Sequence, residues 1–262
     1  MGSDDQKAVR SDLRDAYDGL IARAWGSGKP MATWEGRFGM LAAVTPAIDR
    51  QWTFFAELGE RYIRVNLHTD AERQTHAALE QMGQEDEMRA ELRAAGAKLL
   101  EDCASRAPGS QPAASRPVRE SVGDLAHVTA VLRTPVIRDR QHEVVAMPEP
   151  EVGTRLGKQF LRLAQASAFL DHRKEPGDHA HDLLLRVASD AVRARRALVL
   201  GALLSGKSRQ SEVIEATGIP NQSVKHELED LRLLKVVTTS LGDIGWVMEP
   251  GFEAKLRSTG LA

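Results

Sequence analysis

A single cysteine, Cys103, stands among 262 residues, so the chain cannot close an internal disulfide, a usage that fits a reducing, cytoplasmic compartment. Aromatic residues make up only 5% of the sequence. Trp25, Trp34, Trp52 and Trp246 are dispersed singly, which suits core or interface anchors better than a platform for stacked bases. No apolar run approaches the roughly 18 residues that a membrane span needs. The opening MGSDDQKAVR is polar and does not read as a signal peptide. Neither charge sign dominates: 35 basic residues face 37 acidic ones. This balance excludes a uniformly basic nucleic-acid coat but leaves room for a local basic patch.

Alanine is plentiful, with 35 residues, and favours helices. Arginine outnumbers lysine 26 to 9, as GC-rich bacterial coding would give. Residues 4–24 place Val9, Leu13, Ala16 and Leu20 at helical spacing, and WGSGKPMATWEGR reads as a loop. FGMLAAV (38–44) is a short apolar run that fits a buried strand, 49–58 a short helix, and YIRVNLH (62–68) an alternating strand. From Asp70 to Arg106 apolar residues recur helically, with Gly83 and Gly96 as breaks or bends. APGSQPAASRP (107–117) is the best linker candidate. Helices follow near 118–133, 153–170 and 178–204, with a short extended piece at EVVAMPEPE.

Residues 190–249 carry the clearest pattern. DAVRARRALVLGALL reads as an amphipathic helix stopped at Ser205-Gly206, and SRQSEVIEAT as a second helix. GIP (218–220) is a tight turn, and NQSVKHELEDLRLL starts at Asn221, a natural N-cap, with Val224, Leu228, Leu231 and Leu234 as its inward stripe. VVTTS, LGDIG and WVM complete a hairpin. Three helices followed by a hairpin describe a winged helix-turn-helix. In that frame Asn221, Gln222, Ser223, Lys225 and His226 begin the helix that enters a DNA major groove. Arg193, Arg195, Arg196, Lys207 and Arg209 supply five positive charges across 191–211 with no acid among them, suited to phosphate contacts. Against this stand Glu227, Glu229 and Asp230 on the same helix, which leave protein contact or internal packing as the competing use of the fold.

Other motifs are weaker. GALLSGKS (201–208) matches the phosphate-loop pattern letter for letter, with Lys207 and Ser208 as its ligands. Its upstream residues fit a helix, however, and some 50 residues after it cannot build the required parallel sheet. His172, Asp178, His179, His181 and Asp182 cluster in sequence, yet His179 and His181 are two apart and diverge on a helix. Cys103 has only Arg106 as a basic neighbour at helical spacing, too little to activate a thiol. No cofactor or metal is implied.

At GRFGMLAAVTPAIDRQWTFFAELGERYIRVNLH (36–68) the sequence resembles the C-terminal part of the ATPase core in AAA+ or helicase-like proteins of phages and mobile elements. PEPEVGTRLGKQF and the winged helix with LEDLRLLKVV resemble the end of the same proteins. The resemblance implies Thr45 as a sensor at the end of a buried strand and Arg61 as an arginine finger acting on a neighbouring subunit's nucleotide. No phosphate loop or magnesium-holding acid precedes Phe38, so the chain looks like the back half of such an ATPase.

The expected architecture is mainly α: a small incomplete α/β segment (1–68), a helical segment (69–106), a linker (107–117), a helical region (118–189), a winged helix-turn-helix (190–250) and a tail (251–262). The expected function is non-catalytic binding of double-stranded DNA. A site completed in trans within a homo-oligomer or an ATPase partner, or a protein-binding helical adaptor, are the alternatives.

Overall fold

The structure, a computed structural model, describes residues 11–13, 15–23, 32–36, 39–45, 62–67, 70–106, 111–240 and 245–261. The described residues are mostly helical, with two small two-stranded sheets among them. The chain divides into two compact units, residues 1–62 and 63–262.

In the first unit, residues 11–13 and 15–18 are helical, and Gly19 (φ 96°) ends the helix in the left-handed region that glycine tolerates. Strands β1 (Leu20–Arg23) and β2 (Ala32–Glu35) then pair antiparallel, with Leu20 opposite Glu35. Tyr62 donates its hydroxyl to the Leu13 carbonyl (3.3 Å) and meets the Tyr17 ring edge-on. This hairpin corrects two expectations, because β1 falls at the end of an expected helix and β2 inside an expected loop. A four-residue stretch such as LIAR, three apolar residues and an arginine, carries no period of its own, and the alternation in ATWE is equally short. The strand expected at 38–44 is absent from its described residues. Residues 39–45 join no ladder and lie exposed, Leu41 completely so. Residues 63–67 likewise form no strand. The helix expected at 49–58 lies outside the described residues.

The second unit begins with α1 (Ala71–Glu80) and α2 (Glu85–Ser105), neither of which buries a residue. Asp70 caps α1 by accepting from the N–H groups of Glu72 and Arg73. Helix α3 (Arg116–Arg133) starts with Pro117 in its first turn and is the spine of the unit. Its Val122, Leu125, Ala126 and Ala130 pack with Leu156, Phe160 and Ala164 of α4 (Thr154–Leu170) and with Leu184 and Ala188 of α5 (Asp178–Ala191). A Cβ on Gly153 would come within 3.2 Å of the Ala126 carbonyl, so glycine lets the start of α4 approach the α3 backbone.

The described part of the expected linker, residues 111–117, is not free. The Ala113 N–H donates to the Lys174 carbonyl, the Ser115 N–H to Glu175, and the Gln165 amide to the Pro112 carbonyl, while Ala114 is buried. Small residues that look like spacer in sequence serve here as a close-fitting strap.

The helical stretch expected to run through 178–204 breaks at Val192 and Arg193, both extended. The break divides two cores: Ala188 faces the α3–α4–α5 bundle, whereas Val192 joins the next layer. That layer holds α6 (Ala194–Leu204), α7 (Gln210–Thr217), α8 (Asn221–Leu233) and a hairpin of β3 (Val237–Thr239) and β4 (Trp246–Met248), in which Val237 opposes Met248. Val224, Leu228, Leu231 and Leu234 form the buried stripe of α8 as their spacing requires, each worth about 1.5–3 kcal/mol on full burial. Gly218 (φ 66°) turns α7 into α8. The Trp246 N–H donates to the Ser208 carbonyl (2.7 Å), tying β4 to the α6–α7 connection. Three helices followed by a two-stranded hairpin stand in the order that a winged helix-turn-helix requires. Val128, Val131 and Leu132 of α3 belong to the same core, so this C-terminal layer is fused to the bundle. The stretch 251–262, expected as a tail, carries most of α9 (Pro250–Thr259), which buries Leu256 and pairs Lys255 with Asp124 (3.3 Å).

Candidate nucleic-acid interface

The basic run at 193–209 separates into two groups. Arg195, Lys207 and Arg209 are exposed. Arg196 is completely buried, which corrects its assignment as a phosphate contact. Its Nη1 donates to the carbonyls of Leu132 and Thr134 (both 2.7 Å), its Nε to Glu227 (3.2 Å), and its Nη2 lies 3.6 Å from Asp230. Arg196 thus satisfies carbonyls at the end of α3 that its own helix leaves unbonded. Arg193 is half-buried, and burial followed by the nearby Arg196 charge lowers its pKa.

The three acids of α8 divide too, two buried and Glu229 partly exposed. Glu227 and Asp230 are only 8% and 5% exposed and point into this cluster. A residue that sequence reading passes over, Arg138, completes it. The Arg138 Nη2 lies 2.7 Å from Asp230 and 3.3 Å from Glu229, and Nη1 donates to the His142 carbonyl. Burial pulls the Arg138 pKa down, but bonding and charge from Asp230 and Glu229 reverse that and leave it raised. Burial also raises the Asp230 carboxyl above its usual value, against the pull of Arg138 and Arg196.

Arg138 sits on a short ribbon between α3 and α4, pinned by an antiparallel bridge from Arg138 to Val144. Asp139 accepts from the N–H groups of Gln141 and Glu143, and His142 (φ 67°) turns the tip. The His142 ring lies 5.3 Å from that of His226. No local pattern announces the pairing of Arg138 with α8, which joins residues about ninety positions apart.

The remaining sequence-derived candidates lie at the start of α8. Asn221, Gln222 and Lys225 are exposed, and Ser223 and His226 are half-buried. Pro220, rather than Asn221, occupies the N-cap position, and its carbonyl accepts from Ser223 and Val224. Asn221 is thereby released to accept from the Gln210 amide (2.5 Å), which brings the first turns of α7 and α8 together. At the start of α7, Glu212 accepts from the N–H groups of Ser208 and Arg209, and these bonds lower its pKa. The Gln222 amide and His226 Nε2 are 2.9 Å apart, and Lys225 lies 3.9 Å from Glu229.

The other motifs do not assemble. In GALLSGKS the first four residues end α6, so the strand that a phosphate loop follows is a helix here. His179 pairs with Asp171 (2.8 Å), and His172 lies beside Arg106. Among the described residues, no group of three or more His, Cys, Asp or Glu is placed to hold a metal ion. Cys103 is half-buried. Thr45 is exposed and ends no strand, and Arg61 lies outside the described residues. No helix among the described residues is long and apolar enough to cross a membrane. No protein-family model matches the chain, and no curated protein or solved structure matches it.

Proposed function

We propose that the chain binds double-stranded DNA through its winged helix-turn-helix, without catalysing a reaction. The observation that carries this reading is the disposal of charge on α8. Glu227 and Asp230 are drawn inward by Arg196 and Arg138, so the acids that count against DNA binding in the sequence are mostly absent from the outer face. That face starts with Asn221, Gln222 and Lys225, which supply amide groups for base edges and a cation for a phosphate. Arg195, Lys207 and Arg209 remain exposed for further phosphates. The hydrogen bond between Gln210 and Asn221 sets two helix N-termini side by side, where backbone N–H groups favour an anion.

Amide chemical-shift mapping with a mixed-sequence duplex tests the location. The reading expects the largest changes at Arg209, Gln210 and Asn221 to His226, and little change in α2. Changes confined to α2, or none at saturating duplex, would overturn it.

A further inference from the structure

Helix α2 is 21 residues long and buries none of them. Its last turn is anchored: the Arg106 guanidinium stacks 4.4 Å over the Phe169 ring, donates to the Phe169 carbonyl, and pairs with Asp102. N-terminal to that anchor, Met88, Leu92, Ala95 and Leu99 recur at spacings of four, three and four, forming a narrow apolar seam. Leu92 is 71% exposed and Leu99 49%. A helix in water draws most of its stability from packing such a seam, so this one lacks its complement within the described chain.

We propose that the complement is α2 of a second copy of this chain, running antiparallel. In that register Met88 faces Leu99 and Leu92 faces Ala95, and the two-fold axis repeats both layers. Charge then selects the orientation. Glu91 and Lys98 each stand immediately before a leucine of the seam, on one flank, and both are exposed. In an antiparallel pair like flanks meet, which brings Glu91 of one copy to Lys98 of the other, twice. Their offset is two residues, about 3 Å along the axis at 1.5 Å per residue, within reach of both side chains. A parallel pair would instead set Glu91 against Gly96 and Lys98 against Cys103, with no charge partner for either. The apolar layers end where Glu85 meets Asp102, and the Asp102 charge is offset by its own Arg106. This inference is independent of DNA binding.

Sedimentation of the full chain without DNA, across a concentration series, tests it. Wild type is expected to associate reversibly from monomer to dimer. Glu91→Lys alone and Lys98→Glu alone should each weaken the dimer roughly tenfold, as two attractive pairs become repulsive, and the double variant should restore it. Both positions are exposed, so neither change disturbs a core. A chain that stays monomeric throughout, leaving the seam to another protein, overturns the proposal. So does a dimer indifferent to the single changes, or one that the double variant does not restore.

Discussion

The Arg196 guanidinium and the Glu227 carboxylate meet at 3.2 Å between α6 and α8, with Arg196 fully enclosed. The pair lies where α3, α6 and α8 converge, and Arg196 also bonds two carbonyls at the end of α3. It therefore fixes α8 to the bundle as well as withdrawing an acid from its surface.

Replacing Arg196 with methionine should destabilise the fold by about 3–5 kcal/mol, because Glu227 stays buried without its cation, Asp230 keeps only Arg138, and two carbonyls at the end of α3 lose their donor. Arg196→Lys should recover only part of this, since an ammonium cannot reproduce the planar fork that reaches Glu227 and both carbonyls. Urea denaturation measures both. A destabilisation below about 1 kcal/mol for Arg196→Met would show that the cluster contributes little.

Arg138→Ala should destabilise in a pH-dependent way. Asp230 already has a raised pKa in the fold, and Arg138 is the first cation opposing that rise. A raised carboxyl contributes stability at low pH that is lost as pH rises through its folded value. Removing Arg138 raises Asp230 further, so the deficit relative to wild type should grow from acid toward neutral pH. Thermal melts of both proteins across that range check the trend, and a constant deficit contradicts it.

Glu212 has the opposite sign. Its folded pKa is lowered by the backbone N–H groups of Arg209 and Ser208, so its contribution is complete above the usual value of 4.5. That contribution is lost as pH falls through the lower folded value. Glu212→Gln should accordingly be less stable than wild type at neutral pH and approach it in acid. Parallel denaturation curves would reveal a difference that fails to narrow.

The α8 stripe is legible in the sequence because Val224, Leu228, Leu231 and Leu234 repeat at helical spacing, and the glycine turn because Gly218 precedes Ile219-Pro220. Arg196 misleads because a run of arginines looks like a solvated face. Its position is nonetheless visible: Val192, Arg196, Val199 and Leu203 follow spacings of four, three and four, so Arg196 occupies the apolar stripe. Glu227 carries the same signal beside Val224 and Leu231. Arg138 carries none, since its partners lie in a distant helix and only tertiary folding brings the ribbon to them. The first unit is the least legible, because four-residue strands offer too little alternation to outweigh the helical spacing of Leu13, Ala16 and Leu20.

The proposed contact of Arg195, Lys207 and Arg209 with DNA phosphates predicts salt-dependent binding. Fluorescence anisotropy with a labelled mixed-sequence duplex would compare wild type with the Arg195→Ala, Lys207→Ala, Arg209→Ala triple variant. The logarithm of the wild-type association constant should fall linearly with that of salt. The triple variant should show a slope shallower by about 0.9 for each phosphate that its side chains cease to neutralise. Binding indifferent to salt, or a slope unchanged in the triple variant, would contradict the account.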